Sequence, residues 1–350
     1  MPAIKEKETY GDESITALKG ADRVRKRPAV IFGSDDLEGC QHSFLEILAN
    51  AVDEAREGYG DKIFVRKYLD NSVEVEDFGR GVPLGYNEAE KRWNWDLVYC
   101  ELYAGGKYDN NSGNAAYEFS LGLNGLGAAA TQYSSEYMTV QSYSGGKLSE
   151  MHFKKGKPVG KLSVRDIQPK MKQRGTVVRW LPDLEVFKDV DIPAAFFEAT
   201  LRRQAFVNAG IHFTLSYETE KGKFSESEYY YKNGVADYLS EITSGSDLTP
   251  PVLWKLDTKG RDREDLPEYK FKAEVAFCFS KSGSQEYYHN SSYLEHGGAP
   301  DRAVRAAFTF AIDKFLKTTG KYNKNEAKIS FQDIEDNLTV IVNSASTQTS

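Results

Sequence analysis

Within residues 42–57, His42, Glu46, Asn50, Asp53 and Glu57 recur at spacings of three and four. At about 100° per residue they share one helical face, and Phe44, Leu48, Ala51, Val52 and Ala55 gather opposite them as a core side. An acid and an amide one turn apart can act jointly. Glu46 can polarise a water, and Asn50 can offer an oxygen to a hard cation. Polar stripes more often simply face solvent, so the chemistry of this one depends on the segments further along the chain.

Residues 72–83, Ser-Val-Glu-Val-Glu-Asp-Phe-Gly-Arg-Gly-Val-Pro, read as a strand ending in a tight turn, because Val73 and Val75 alternate with acids. Asp77 falls at the strand's end, where a carboxylate can accept a hydrogen bond from an exocyclic amine. Gly79 and Gly81 let backbone approach a flat ligand. The same letters also fit an ordinary Asp-x-Gly turn. A third segment runs from Ala104-Gly-Gly-Lys107 to Gly122-Leu-Asn-Gly-Leu-Gly127 and enters an alanine-rich stretch. A glycine turn opening a helix offers N–H groups and a positive dipole end to phosphate. No strand–turn–helix unit with a later acid makes this a dinucleotide fingerprint, and no G-x-x-x-x-G-K-[ST] occurs.

The three segments, in this order, resemble the GHKL ATPases: gyrase B, the ninety-kilodalton heat-shock chaperone, histidine kinases and MutL. The resemblance narrows with Arg25-Lys-Arg-Pro28, Glu46-x-x-x-Asn50-x-x-Asp53-Glu54-Ala55, Asp77-x-Gly-Arg-Gly-x-Pro83, Ala104-Gly-Gly-Lys107-Tyr-Asp109 and Gly122-Leu-x-Gly-x-Gly127. Together these are similar to the ATPase region of a bacterial type IIA topoisomerase B subunit, of gyrase or topoisomerase IV. Gly175-Thr176 resembles that family's Gly-Thr strand, and Gly297-Gly298 with Arg302–Ala311 resembles a helix of its transducer domain. The match spans residues 10–345.

The resemblance implies an α+β chain: a GHKL (Bergerat) ATPase α/β sandwich followed by a ribosomal-S5-domain-2-like transducer. It implies an arm over 1–20, the ATPase domain over 21–232 and the transducer over 233–350. Glu46 would be the general base activating water against the γ-phosphate of ATP, with His42 orienting it. Asn50 would hold Mg²⁺, and Asp77 would bind the adenine amino group with help from Thr176. Gly81 and Pro83 would line the nucleotide, and Glu54 and Arg80 would pair at the rim. Lys107 and the backbone of Gly122, Leu123, Asn124, Gly125, Leu126 and Gly127 would wrap the phosphates. Tyr10 would touch nucleotide in a partner subunit across an ATP-driven homodimer. An A-type cleavage subunit and DNA would join only in the full assembly.

Several departures from that pattern stand out. Asn124 occupies a position where histidine is usual; Ala49 and Phe78 replace the common Asp and Asn. Ser142 or Tyr143 stands where the family often carries an arginine that binds aminocoumarin drugs, which counts against sensitivity to them. Either Gln348 and Thr349 are the transducer's Gln-Thr-Lys loop with Ser350 in the lysine's place, or the chain stops a few residues short of that loop, which the short spacing from the strand at 338–342 favours. Without its lysine, ATP would be bound better than hydrolysed.

Composition agrees. The chain has 350 residues, long enough for two domains, and 40% hydrophobic residues, ample for cores. A net charge of −7 argues against an autonomous nucleic-acid binder. Three isolated cysteines lack metal spacing and fit a reducing cytoplasm, and with no apolar run of membrane length a soluble protein without membrane contact is expected. Arg202-Arg203 read as solvated helix arginines, and 259–265 as a charged loop. Each block is expected to be a mixed sheet with helices on one face, the second opening with a helix after Asn233-Gly234. Besides the topoisomerase clamp, two other classes fit: a MutL-like or chaperone GHKL machine, and a non-catalytic nucleotide-binding module.

Overall fold

A computed structural model describes residues 17–104, 125–261 and 263–348. Tyr10, Lys107, Gly122, Leu123 and Asn124 lie outside the described residues. Two short helices come first, α1 (Asp22–Arg25) and α2 (Pro28–Phe32). Pro28 occupies the first turn of α2, where its missing N–H costs nothing, and Gly33 at φ 78° ends the helix. The long helix α3 (Leu37–Arg56) comes next, its Asp36 cap accepting the N–H of Leu37.

Strands β1 (Lys62–Lys67) and β2 (Val73–Asp77) form a hairpin. After the small hairpin β3 (Tyr86–Asn87) and β4 (Arg92–Trp93) come α4 (Asn94–Cys100) and α5 (Gly127–Tyr133). The chain then runs through β5 (Ser135–Ser144), β6 (Lys147–Lys154), β7 (Lys157–Asp166), β8 (Gly175–Pro182), α6 (Ala194–Val207), β9 (His212–Glu220) and β10 (Lys223–Tyr229). These strands make one sheet in the order β10-β9-β1-β2-β8-β5-β6-β7, antiparallel except for β1 beside β9.

Period-two alternation sends Ile63, Val65, Val75, Val140, Trp180 and Phe213 to one face, under α3, α5 and α6. Phe44, on α3, is fully buried there against Phe197 of α6. The other face is polar and braced across strands: Arg66 bonds Glu74 and Glu76 at 2.6 and 2.8 Å, and Gln141 bonds Glu150. The first block therefore has helices on one face, as expected.

Past Gly234, whose φ of 58° suits only glycine readily, lie α7 (Val235–Thr243), β11 (Val252–Gly260), β12 (Tyr269–Phe279), β13 (Ser284–His289), β14 (Ser292–Tyr293), α8 (Gly298–Thr318), α9 (Gln332–Glu335) and β15 (Leu338–Ser346). The second sheet has the order β11-β12-β15-β13-β14, with β13 parallel to β15. Here the one-sided expectation fails. Ala276, Cys278, Tyr288 and Ile341 pack with α6 and α7, while Phe277, Tyr287, Val340 and Val342 pack with Val304, Phe308 and Ile312 of α8. Successive strand residues point to opposite faces, and both kinds are apolar, so both faces need cover.

Helix α6 serves both blocks: Leu201 and Ala205 belong to the first core, Phe206 and Val207 to the second. Arg202 is not simply solvated, since it bonds Glu241 and the Tyr231 hydroxyl. Lys259 and Gly260 belong to β11, paired with Lys270 and Tyr269, so the charged loop starts only at Arg261. The turn at Asn290 and Ser291, both at positive φ, is a polar junction. Ser291 donates to Asn208 at 2.8 Å and receives Arg56, at the end of α3, at 3.2 Å. No described helix is long and apolar enough to cross a membrane.

Candidate active site

The residues that could do chemistry converge where α3, the end of β2, the start of β8 and the start of α5 meet. On α3 the polar stripe is half-buried, with Glu46 about one-third exposed (31%). His42 Nε2 lies 3.3 Å from Glu46 Oε1, and its Nδ1 lies 3.2 Å from the Phe32 carbonyl. Two acceptors on one ring favour the doubly protonated imidazolium, and the hydrogen bond to Glu46 accordingly raises the pKa of His42. One turn on, Asn50 Nδ2 donates to the Glu46 carbonyl at 3.1 Å, which turns its amide oxygen the other way. Asp53, placed by periodicity on the same stripe, is only 1% exposed, because the helix is flanked by the sheet on one side and by α5 on another.

Asp77 ends β2 and is buried. The β2–β8 register brings Thr176 opposite it, yet the Thr176 N–H bonds the side chain instead of the main chain. Gly79 N and Thr176 N both donate to Oδ1, at 2.7 and 3.2 Å. Burial pushes the carboxyl up to about 6, against the pull of these two N–H groups and of Lys172. Thr176 Oγ1 accepts the Val82 N–H at 3.1 Å, so its own proton can be donated elsewhere.

The rim is built from Glu54 and Arg80. Arg80 Nε and Nη2 reach the two carboxylate oxygens at 3.1 and 2.7 Å, its backbone N–H adds a third bond, and its guanidinium covers the Tyr59 ring. Two glycines allow close packing around these residues. A Cβ on Gly81, at φ 85°, would lie 2.7 Å from the Tyr143 carbonyl and 2.9 Å from Ser142 Oγ. One on Gly127 would lie 2.1 Å from Glu46 Oε2. The start of α5 thus lies close against the polar stripe of α3, and Thr131 ties the two helices through Ser43. Gly125, at φ 58°, and Leu126 lead into α5, while Pro83 is exposed beyond the turn.

The structure thus brings together His42, Glu46, Asn50, Glu54, Asp77, Arg80, Gly81, Gly127 and Thr176. Arg25 stands apart, tying α1 to Asp183 at 2.6 Å and to the end of α5. Sequence reading missed Lys172 and Arg174, which hold the backbone of Asp77 and Phe78; the only signal was their basic character just ahead of Gly175-Thr176.

A long helix and a glycine turn against one end of a mixed sheet make the arrangement of the GHKL ATPase fold, here followed by a second sheet. Solved structures agree. The 43K ATPase domain of Thermus thermophilus gyrase B, in complex with an aminocoumarin, matches with TM-score 0.71 and 27% identity, over 93% of this chain and 81% of that one. The topoisomerase IV ATP-binding domain of Francisella tularensis, bound to a small-molecule inhibitor, shares the fold at TM-score 0.70 and 22% identity, over 93% and 82%.

The DNA gyrase B family model matches residues 234–350. The DNA gyrase B protein of Thermotoga maritima is 32% identical over 346 residues, 96% of this chain and 51% of that one. The B subunit of DNA topoisomerase 4 from Streptococcus pneumoniae is 30% identical over 336 residues, 95% and 49%. The chain spans about half the length of these curated relatives. By sequence and fold it is a relative of the ATPase region of type IIA topoisomerase B subunits, level between the gyrase and topoisomerase IV kinds.

Proposed function

We propose that the groove binds ATP and hydrolyses it, with adenine on Asp77 and Glu46 as the base for the attacking water. The carboxylate of Asp77 carries this reading. It is buried, its Oδ1 is occupied by two N–H groups, and Oδ2 remains as an acceptor beside glycine backbone, the complement of an exocyclic amine. Thr176 can donate its hydroxyl proton to a ring nitrogen or a bridging water.

On the phosphate side, Glu46 accepts the water's proton while His42 holds its carboxylate in place. The donor set fits Mg²⁺, since Asn50 and Glu46 offer hard oxygen one turn apart. When bound, the cation would neutralise phosphate charge; Asn50 is the residue to hold it. Phosphoryl transfer needs such positioning and charge neutralisation more than covalent chemistry. Lys107 and the backbone of 122–127 would complete the phosphate side.

Residues 21–232 are assigned to the ATPase unit and 233–350 to the transducer. Likeness to topoisomerase B subunits supports a larger role: ATP-driven homodimerisation, with Tyr10 in the exchanged arm, coupled to DNA strand passage in a cytoplasmic assembly with an A-type cleavage subunit. The test is calorimetric titration with a non-hydrolysable ATP analogue and Mg²⁺, with sedimentation to follow association. Saturable binding by the wild type, lost in Asp77→Ala, with dimers forming on binding, is expected. Equal binding by both proteins, or none by the wild type, would overturn the reading.

A further inference from the structure

Asp77 sits one residue beyond the last β2–β8 ladder pair, Glu76 with Val177. Because Thr176 gives its N–H to the Asp77 side chain, the main-chain carbonyl of Asp77, a residue paired with Ile63 on the β1 side, is open to another donor on the β8 side. That carbonyl faces Gly175, where a Cβ would come within 2.1 Å of its oxygen. The donor is Lys172, from the segment leading into β8. Its ammonium bonds the Asp77 carbonyl and Glu76 Oε1, the latter at 3.1 Å, and lies 3.7 Å from the centre of the Phe78 ring. The next carbonyl, of Phe78, receives Arg174 Nε at 2.9 Å. Two consecutive carbonyls at the end of β2 are therefore fixed by cations from one short segment.

We propose that Lys172 is a positioning residue of the purine pocket: by fixing the Asp77 carbonyl, with Arg174 on the next, it aims the Asp77 carboxylate at the exocyclic amine of adenine. This rests on the adenine assignment above. Lys172 reaches Asp77 from the polar face of the sheet, opposite α3, so it acts through Asp77 and not on the nucleotide. The ring of Phe78, where the family pattern has asparagine, gives the ammonium a cation–π seat, and the lysine side chain is only 10% exposed.

The ammonium also supplies positive potential to a buried carboxylate. Among the described residues, the other charged or titratable groups facing that site are Glu76 on β2, Arg66 on β1 through Glu76, Glu54 on α3 with Arg80 beyond it, Tyr99 on α4 and Tyr143 on β5. Of these cations, Lys172 is the one that bonds the Asp77 residue itself.

The experiment compares wild type, Lys172→Met, Lys172→Arg and Asp77→Asn for binding of the non-hydrolysable ATP analogue with Mg²⁺ between pH 5 and 8.5. Methionine keeps the apolar stem over Phe78, so the fold should survive, and circular dichroism checks this. Lys172→Met is expected to bind about tenfold more weakly at pH 7, the scale of one charge-assisted hydrogen bond. The pH at which half its affinity is lost should move upward, and Lys172→Arg should restore both. Wild-type affinity and pH profile in a folded Lys172→Met would overturn the proposal while leaving Asp77 in place. Equal binding by wild type and Asp77→Asn would instead overturn the adenine assignment.

Discussion

Replacing Asp77 by Asn should strengthen the empty protein and disable the nucleotide site together. Asparagine keeps an oxygen for Gly79 N and Thr176 N, so the turn retains its geometry. What disappears is a buried negative charge. Burial pushes Asp77 from 3.8 to about 6. At 1.36 kcal/mol per pH unit, that displacement corresponds to about 3 kcal/mol. Because the folded-state value lies above the unfolded one, the folded wild type holds its proton more tightly. The stability this confers is present in acid and is lost as pH rises from about 4 through about 6. Asp77→Asn should therefore match the wild type near pH 4 and exceed it by up to about 3 kcal/mol by pH 7.5. Urea titrations at both pH values, followed through tryptophan fluorescence, read this directly, since Trp180 is buried in the same sheet. In the same variant a donor would face the adenine amine, and analogue binding should fall about 100-fold, the loss of a charge-assisted hydrogen bond plus a donor–donor conflict. A variant less stable at pH 7.5, or a stability difference independent of pH, would refute the buried-carboxylate argument.

Glu46→Gln should bind the ATP analogue normally and lose about 10²–10⁴ in hydrolysis rate, measured by phosphate release. Gly127→Ala should push Glu46 aside, since the new Cβ meets its carboxylate at 2.1 Å, costing about 1–3 kcal/mol in denaturant titration and most of the hydrolysis. His42→Asn should abolish a contribution to stability that is full below the ordinary histidine pKa and fades as pH rises through the raised one; unfolding titrations from pH 6 to 8.5 test this. Ser291→Ala should leave analogue binding intact but loosen the junction of the two sheets by about 1–3 kcal/mol, as faster hydrogen exchange at the ends of α3 and α6, because Arg56 and Asn208 lose a buried partner.

Local pattern alone determined a good deal of this protein. The spacing of Phe44, Leu48, Ala51 and Val52 gave α3 its buried side, alternation placed β2, and Asn233-Gly234 marked the start of α7 within a residue. These are properties of one helix turn or one pleat, written within a few residues of chain. The convergence of Glu46, Asn50, Asp77 and Thr176 was legible only through family likeness, since periodicity says which face a side chain takes and not which distant strand meets it. Tertiary structure decided the rest. Asp53 looked like a surface acid until α3 was packed between sheet and helix, and the second sheet needed cover on both faces because its strands are apolar on both. Most clearly, Lys172 holds the carbonyl of Asp77 from 95 residues away. Neither residue announces that bond: it exists because a main-chain acceptor just past the end of the β2–β8 ladder, in a buried place, is met by whatever donor the fold brings there.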